Sequence, residues 1–391
     1  MLKYILTILL HPHRIQSNTL AQNIRKIMNR FHISLSSLAL LTLLLSSCSK
    51  STVNPTQDGN WVYVGDFGGT ARSNATSFVI GNYAYVGTGV DAQHNRYNDL
   101  WQFDPSGTTT WFQVATCQNM TPRSSAVGFE VGGKGYIGTG YNGYYGLSDF
   151  WQYDPVANSW RQVASLGDAN NGLKVRYDAV AFGLDAAGYG YVGTGNDGVN
   201  VYNDFWRFTP PSSSTDTGSW LQINNLPGFK RTQAVAFTYN NRGFVVTGVG
   251  TGGTNVNDFF SFDPSQPDSS QWYELRHITN YSTATYDDGY TSIVRSQAVG
   301  FVMLNTISDG GGDRAYITTG SAGSITWAYN FSDSLWNQKT SYERSARSGA
   351  VGFTVQNKGF VGLGSSGGSG TGSFWANMDE WYPDEAYNQQ D

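Results

Sequence analysis

The hydrophobic positions of this chain fall in short bursts that end in glycine, and the bursts recur. The front of each unit reads Arg-x-x-Ala-Val-x-Phe at Arg123-Ala126-Phe129, Arg176-Ala179-Phe182, Arg231-Ala234-Phe237, Arg295-Ala298-Phe301 and Arg347-Ala350-Phe353; Arg72-Ala75-Phe78 is a looser sixth copy. An aromatic, aliphatic stretch follows each one: Tyr85-Gly89, Tyr136-Gly140, Tyr191-Gly195, Phe244-Gly248, Tyr316-Gly320 and Phe360-Gly364. These six span 275 residues in five steps, a mean period of 55. Next comes Asp-[Leu/Phe]-Trp-x-aromatic-Asp-Pro, as in "NDLWQFDP" and "SDFWQYDP", and then a tryptophan at Trp111, Trp160, Trp220, Trp272 and Trp336. Four strand-like segments repeated six times predict an all-β ring of six four-stranded antiparallel blades.

The ring must also close. In three units the last tryptophan precedes the next arginine by 12 residues (Trp111 to Arg123) or 11 (Trp220 to Arg231, Trp336 to Arg347), and Trp61 precedes Arg72 by 11. The segment at Trp61 is therefore expected to be the fourth strand of the last blade, whose other strands lie at the C-terminus, so that no edge stays open. Its third strand reads equally well as Phe374–Met378 or as Asp379–Pro383. The pattern resembles the kelch-repeat, six-bladed β-propellers of the galactose-oxidase-like superfamily over roughly residues 61–387. It departs from them at the glycine pair after strand two, which here reads Gly-Thr-Gly or a variant.

Composition supports this picture: 47 glycines and 24 tyrosines accompany only 14% charged residues, as short strands and tight turns require. The first 47 residues differ. They hold Lys3, Arg14, Arg25, Lys26 and Arg30, no acid, and an apolar run from Ile33 to Leu45, the layout of a signal peptide whose true start is expected at Met28. The run ends in Leu45-Ser46-Ser47-Cys48, which resembles the lipobox of bacterial lipoproteins and implies a lipidated Cys48. Residues 48–60 then form a tether, 61–387 the propeller and 388–391 a tail. The expected location is the bacterial cell envelope, at the outer membrane. Residues 48–391 keep 19 basic against 29 acidic side chains, a net charge of −10, which argues against nucleic acid as a partner. With Cys48 lipidated, Cys117 has no intrachain disulfide partner.

The arginine opens strand one and the aspartate opens strand three, so both belong to the face that carries the 2–3 and 4–1 loops. Two readings stand side by side. Each arginine can clamp its repeat to Asp99, Asp149, Asp204, Asp258 or Asp379, with Arg295 facing Thr326 and lacking a repeat-encoded acid. Alternatively Arg72, Arg123, Arg176, Arg231, Arg295 and Arg347 ring the channel mouth as ligand-binding groups, as the arginines of kelch propellers that bind acidic peptides or sugar acids do. Loop tyrosines Tyr144, Tyr145, Tyr286 and Tyr290 on that face suit sugar stacking.

Catalytic signals are weak. The resemblance extends to a copper oxidase acting on galactose, but His94, His277 and Cys117 are scattered over different blades, and no metal or other cofactor is expected. It extends also to sialic-acid epimerases or mutarotases, for which His94, His277, Glu274, Asp287 and Asp288 would be acid/base candidates. The expectation is a membrane-anchored, non-catalytic propeller that binds a carbohydrate, acidic if the arginines face the ligand, or a protein. A sugar epimerase or mutarotase is the alternative.

Overall fold

The computed structural model describes residues 58–390 apart from 107–109, 169–171, 276–277, 279–290, 309–310 and 368–371. Six four-stranded antiparallel sheets follow one another along the chain. Blade 2 is typical, with strands Val127–Val131, Lys134–Gly138, Phe150–Asp154 and Ser159–Val163. The first strands neighbour one another cyclically, the last of them packing against the first, so they line a central axis.

The sixth sheet joins both ends of the chain. Val351–Val355, Lys358–Gly362 and Asn377–Tyr382 pair in turn, and Asn60–Asp66 adds the outer strand, with Trp61 opposite Trp381. The closing strand lies where its tryptophan spacing puts it. The third strand straddles the two stretches that the sequence offered. Trp61 is 1% exposed, stacks at 4.8 Å on Trp381 and donates its indole N–H to the Thr340 carbonyl.

The core of each blade is an aromatic pair. The phenylalanine of strand one stacks on the ring opposite it in strand two: Phe78 on Tyr85, Phe129 on Tyr136, Phe182 on Tyr191, Phe237 on Phe244 and Phe301 on Tyr316, at 5.2 to 5.5 Å. The same phenylalanine also reaches the next blade. A Cβ on Gly190 would stand 2.2 Å from the Phe129 ring, so only glycine at that point lets blades 2 and 3 close together.

Below, the channel opens between the strand 1–2 turns. Glu130 Oε1 accepts the Gly133 N–H at 2.7 Å, and Asp185 of blade 3 accepts the Gly132 N–H at 2.8 Å. Burial first, and the neighbouring Asp185 carboxylate after it, push Glu130 up from 4.5 to about 7.

Trp61→Ala should cost about 3–5 kcal/mol in urea unfolding, as expected for a buried tryptophan. A loss under about 1 kcal/mol would mean that the ring closes without it. Because folding raises the Glu130 pKa, the native state keeps that proton longer, and the stability it contributes is lost as pH climbs from 4.5 to about 7. The unfolding midpoint of the wild type relative to Glu130→Gln should therefore fall across that window and level off above it. A pH-independent difference would contradict the assignment.

Candidate functional site

Each repeat arginine is 0–2% exposed, and its side chain is directed into its own blade. Arg72 grips Asp99 with two bonds of 2.7 and 3.0 Å, Arg123 grips Asp149 at 2.8 and 2.7 Å, and Arg176 grips Asp204 at 2.7 and 2.8 Å. Arg231 and Asp258 form the same pair in blade 4. Burial works to raise Asp149 and Asp204, but the paired guanidiniums outweigh it and hold both below the usual carboxylate range. The indole N–H groups of Trp101, Trp151 and Trp206 complete the aspartates, at 2.7 to 2.9 Å. This explains Asp-x-Trp as a motif.

Blades 5 and 6 differ. Arg295 donates to the Thr319, Ile325 and Ser292 carbonyls, and burial pulls its pKa down to about 10. Arg347 takes Asn377 Oδ1 at 3.1 Å. Its expected partner Asp379 is held instead by Arg344, Tyr342 and Asn377. The ring of six ligand-facing arginines is thereby corrected: Arg72, Arg123, Arg176, Arg231, Arg295 and Arg347 are interior clamps, because their side chains are removed from solvent and most of their N–H groups are spent on the blade.

The arginines also explain the Gly-Thr-Gly variant. Each Nη1 donates to the carbonyl of the middle residue, Thr88, Thr139, Thr194, Thr247, Thr319 or Leu363, at 2.8 to 3.2 Å. All six middle residues have φ between 55° and 64°, a left-handed conformation unfavourable for a β-branched side chain. The following glycine N–H donates to the main-chain carbonyl of the next blade's arginine, from Gly89 to Arg123 and around the ring to Gly364 and Arg72, at 2.7 to 2.9 Å.

Two residues beyond each arginine lies a second closed circle. Asn74, Ser125, Asp178, Gln233, Gln297 and Gly349 each accept an N–H from the next blade's member, at 2.8 to 3.1 Å, with φ between 53° and 63°. With the alanines that follow, they surround an axial space of about 150 Å³. This hub is the floor of the upper mouth.

Above it, off-centre over blades 1 to 4, lies a cavity of about 560 Å³. Tyr141 and Tyr177 form one wall, their rings 5.1 Å apart. Asn196, Thr232, Gln233 and Ser125 offer amides and hydroxyls, Asp178 lies on the floor and Arg96 on the rim. Burial raises Asp178, and hydrogen bonds from Ser125 and Gln233 oppose the rise. Loop carboxylates beside the cavity are occupied: Asp91 accepts four hydrogen bonds from Gln93, Asn95 and Tyr97, and Asp197 four from Val199, Asn200 and Tyr202.

Of the other expected residues, Tyr144 and Tyr145 are exposed on a loop tip capped by Asn142 Oδ1, and His94 is exposed on the neighbouring loop. Glu274 ends the outer strand of blade 4, away from the channel. Cys117 is buried, and burial pushes its thiol up to about 11. Cys48, Tyr286, Tyr290, His277, Asp287 and Asp288 lie outside the described residues. Tyr177, Asp178, Asn196 and Arg96 were not singled out from the sequence. Tyr177 and Asp178 directly follow Arg176 in the repeat, which was the available signal.

Residues 135–167 match the Kelch motif, and with the six closed blades they define the chain as a six-bladed kelch-type β-propeller. The chain is 32% identical over 143 residues to Kelch-like protein 35 of Mus musculus, covering 36% of this chain and 22% of that protein. It is 28% identical over 242 residues to N-(sulfonatooxy)prop-2-enimidothioate sulfolyase of Thlaspi arvense, covering 59% of this chain and 66% of that enzyme. It thus spans less than two thirds of either relative. The solved structure of YjhT superposes with a TM-score of 0.58 over 81% of this chain and 95% of that one, at 13% identity, a likeness of fold.

Arg123→Gln should cost about 3–5 kcal/mol, since it strands Asp149 without its countercharge. Arg295→Gln, which strands only carbonyls, should cost less. Equal and negligible losses in thermal unfolding would overturn the clamp.

Proposed function

We propose that this protein is a lipid-anchored binding propeller of the bacterial cell envelope, held at the outer membrane through Cys48, whose upper cavity takes a carbohydrate without transforming it. The observation that carries this reading is the cavity lining. Tyr141 and Tyr177 present aromatic rings, and around them stand amides, hydroxyls and one carboxyl, the mixture that a polyhydroxylated ring requires. Its volume of about 560 Å³ is in the range of small-ligand sites. Exposed Tyr144 and Tyr145 extend the surface on the same face, where a protein segment is the second choice of ligand.

The relation to the Thlaspi sulfolyase favours an enzyme as the alternative. In that reading the sequence's sugar epimerase or mutarotase would use Asp178, the one acidic side chain lining the cavity among the described residues, as its acid/base group.

Calorimetric titration against neutral and acidic sugars, followed by NMR of the recovered ligand, separates these readings. Binding with the sugar unchanged, weakened about tenfold by Tyr177→Ala, which is about 1.4 kcal/mol, is the expected result. Proton exchange at the anomeric or adjacent carbon would convert the site to an enzyme. Heat with no sugar but with an envelope protein would move the ligand class. For the anchor, Cys48→Ser should shift the protein from the membrane to the soluble fraction, and an unchanged distribution would refute lipidation.

A further inference from the structure

With the six repeat arginines withdrawn into the blades, acid recognition would have to rest on another cation. Among the described residues, Arg96 is the single basic side chain lining the upper cavity. It comes from the 2–3 loop of blade 1, in "DAQHNRYND", and lies over the Tyr141 ring at 5.1 Å. Among the described residues it makes no ion pair, its Nε is buried without a hydrogen-bond partner, and Nη1 makes only a long contact of 3.4 Å with the His94 carbonyl. The loop's own acid cannot neutralise it, because both Asp91 oxygens are taken by Gln93, Asn95 and Tyr97.

A half-buried guanidinium on an aromatic ring, with its fork unfilled, matches a carboxylate in a planar two-bond geometry. Partial desolvation makes such a pair stronger than one on open surface. Asp178 on the floor of the cavity is the lining group of opposite sign, and burial delays its charging. The hub circle narrows the axis below to a space of about 150 Å³, and Arg96 belongs to a loop above it.

We propose that Arg96 makes this cavity selective for an acidic sugar of the uronic-acid type, its carboxylate held by the Arg96 guanidinium and its ring against Tyr141 and Tyr177. This deepens the carbohydrate reading and rests on it. The selectivity lies in one loop residue, outside the repeat.

The experiment is calorimetric titration of the full-length protein with glucuronate, galacturonate and mannuronate, each beside its methyl ester and its parent hexose. At least one acid should bind at least tenfold more tightly than its own ester, and added salt should weaken the acid alone. Arg96→Gln should bring that acid down to the level of its ester while leaving the ester unchanged, and Arg96→Lys should restore part of the difference. Thermal unfolding of both variants should match the wild type, since Arg96 clamps no strand. Equal binding of acid and ester, or an acid preference that survives Arg96→Gln, would overturn the assignment to Arg96 while the carbohydrate reading stands. No binding of any acid, ester or hexose would overturn both.

Discussion

One residue per blade, the arginine before strand one, holds this ring together in three directions. In blades 1 to 4 its fork binds the aspartate opening strand three; in all six, one of its nitrogens binds the carbonyl at the end of strand two, and its main-chain carbonyl accepts an N–H from the preceding blade. A sheet of four short strands has little hold on its neighbour beyond side-chain packing, and here the packing comes from phenylalanines that reach one blade onward into glycine gaps. The arginine adds fixed polar geometry to that contact. Buried ion pairs add little net stability, but once one partner is present the other cannot be removed cheaply. The result is register more than strength: each blade is told where its third strand and its neighbour must lie.

That arrangement concentrates strain at the axis. Twelve positions, six hub residues and the six residues before the glycine that follows strand two, sit at positive φ, and ten of them are neither glycine nor asparagine. Left-handed backbone of this kind costs roughly 1–3 kcal/mol per residue and persists only where surroundings over-determine it. Here the surroundings are two closed circles of main-chain hydrogen bonds, in which opening any one member leaves a buried donor and acceptor unmet. A circle has no end at which to fray. Closure by the strand Asn60–Asp66 is therefore a condition for both circles, because the bonds from Gly364 to Arg72 and from Asn74 to Gly349 bridge the first and last blades.

The fold was legible because a repeat states its architecture six times. Arg123, Phe129, Tyr136, Asp149 and Trp160 have counterparts in the same order in most units, and that order with the tryptophan-to-arginine spacing gave the blade count and the closing strand. Partner choice was less legible where the repeat decays: Asn377 replaced the expected carboxylate, so Asp379 turned to Arg344 and Tyr342, a substitution that spacing cannot reveal. The function of the arginines was ambiguous for a physical reason. A cation placed at the channel mouth and a cation placed under it have the same sequence position, and they differ only in which way the side chain leaves the backbone.

The upper cavity was nearly invisible for the complementary reason. Its floor is built from the repeat, but each floor position carries a different side chain, Asn74, Ser125, Asp178, Gln233, Gln297 and Gly349, because the circle uses only their main chains. The backbone fixes the conformation and leaves the side chains free to vary. The same holds for the rim, where Arg96 and Val199 come from loops with no common spacing. A ring whose cohesion resides in arginine, glycine and main chain can thus carry an asymmetric pocket over four of its six blades without disturbing the contacts that close it. Symmetry identifies the scaffold, and the departures from symmetry at the floor and rim identify where the proposed ligand chemistry resides.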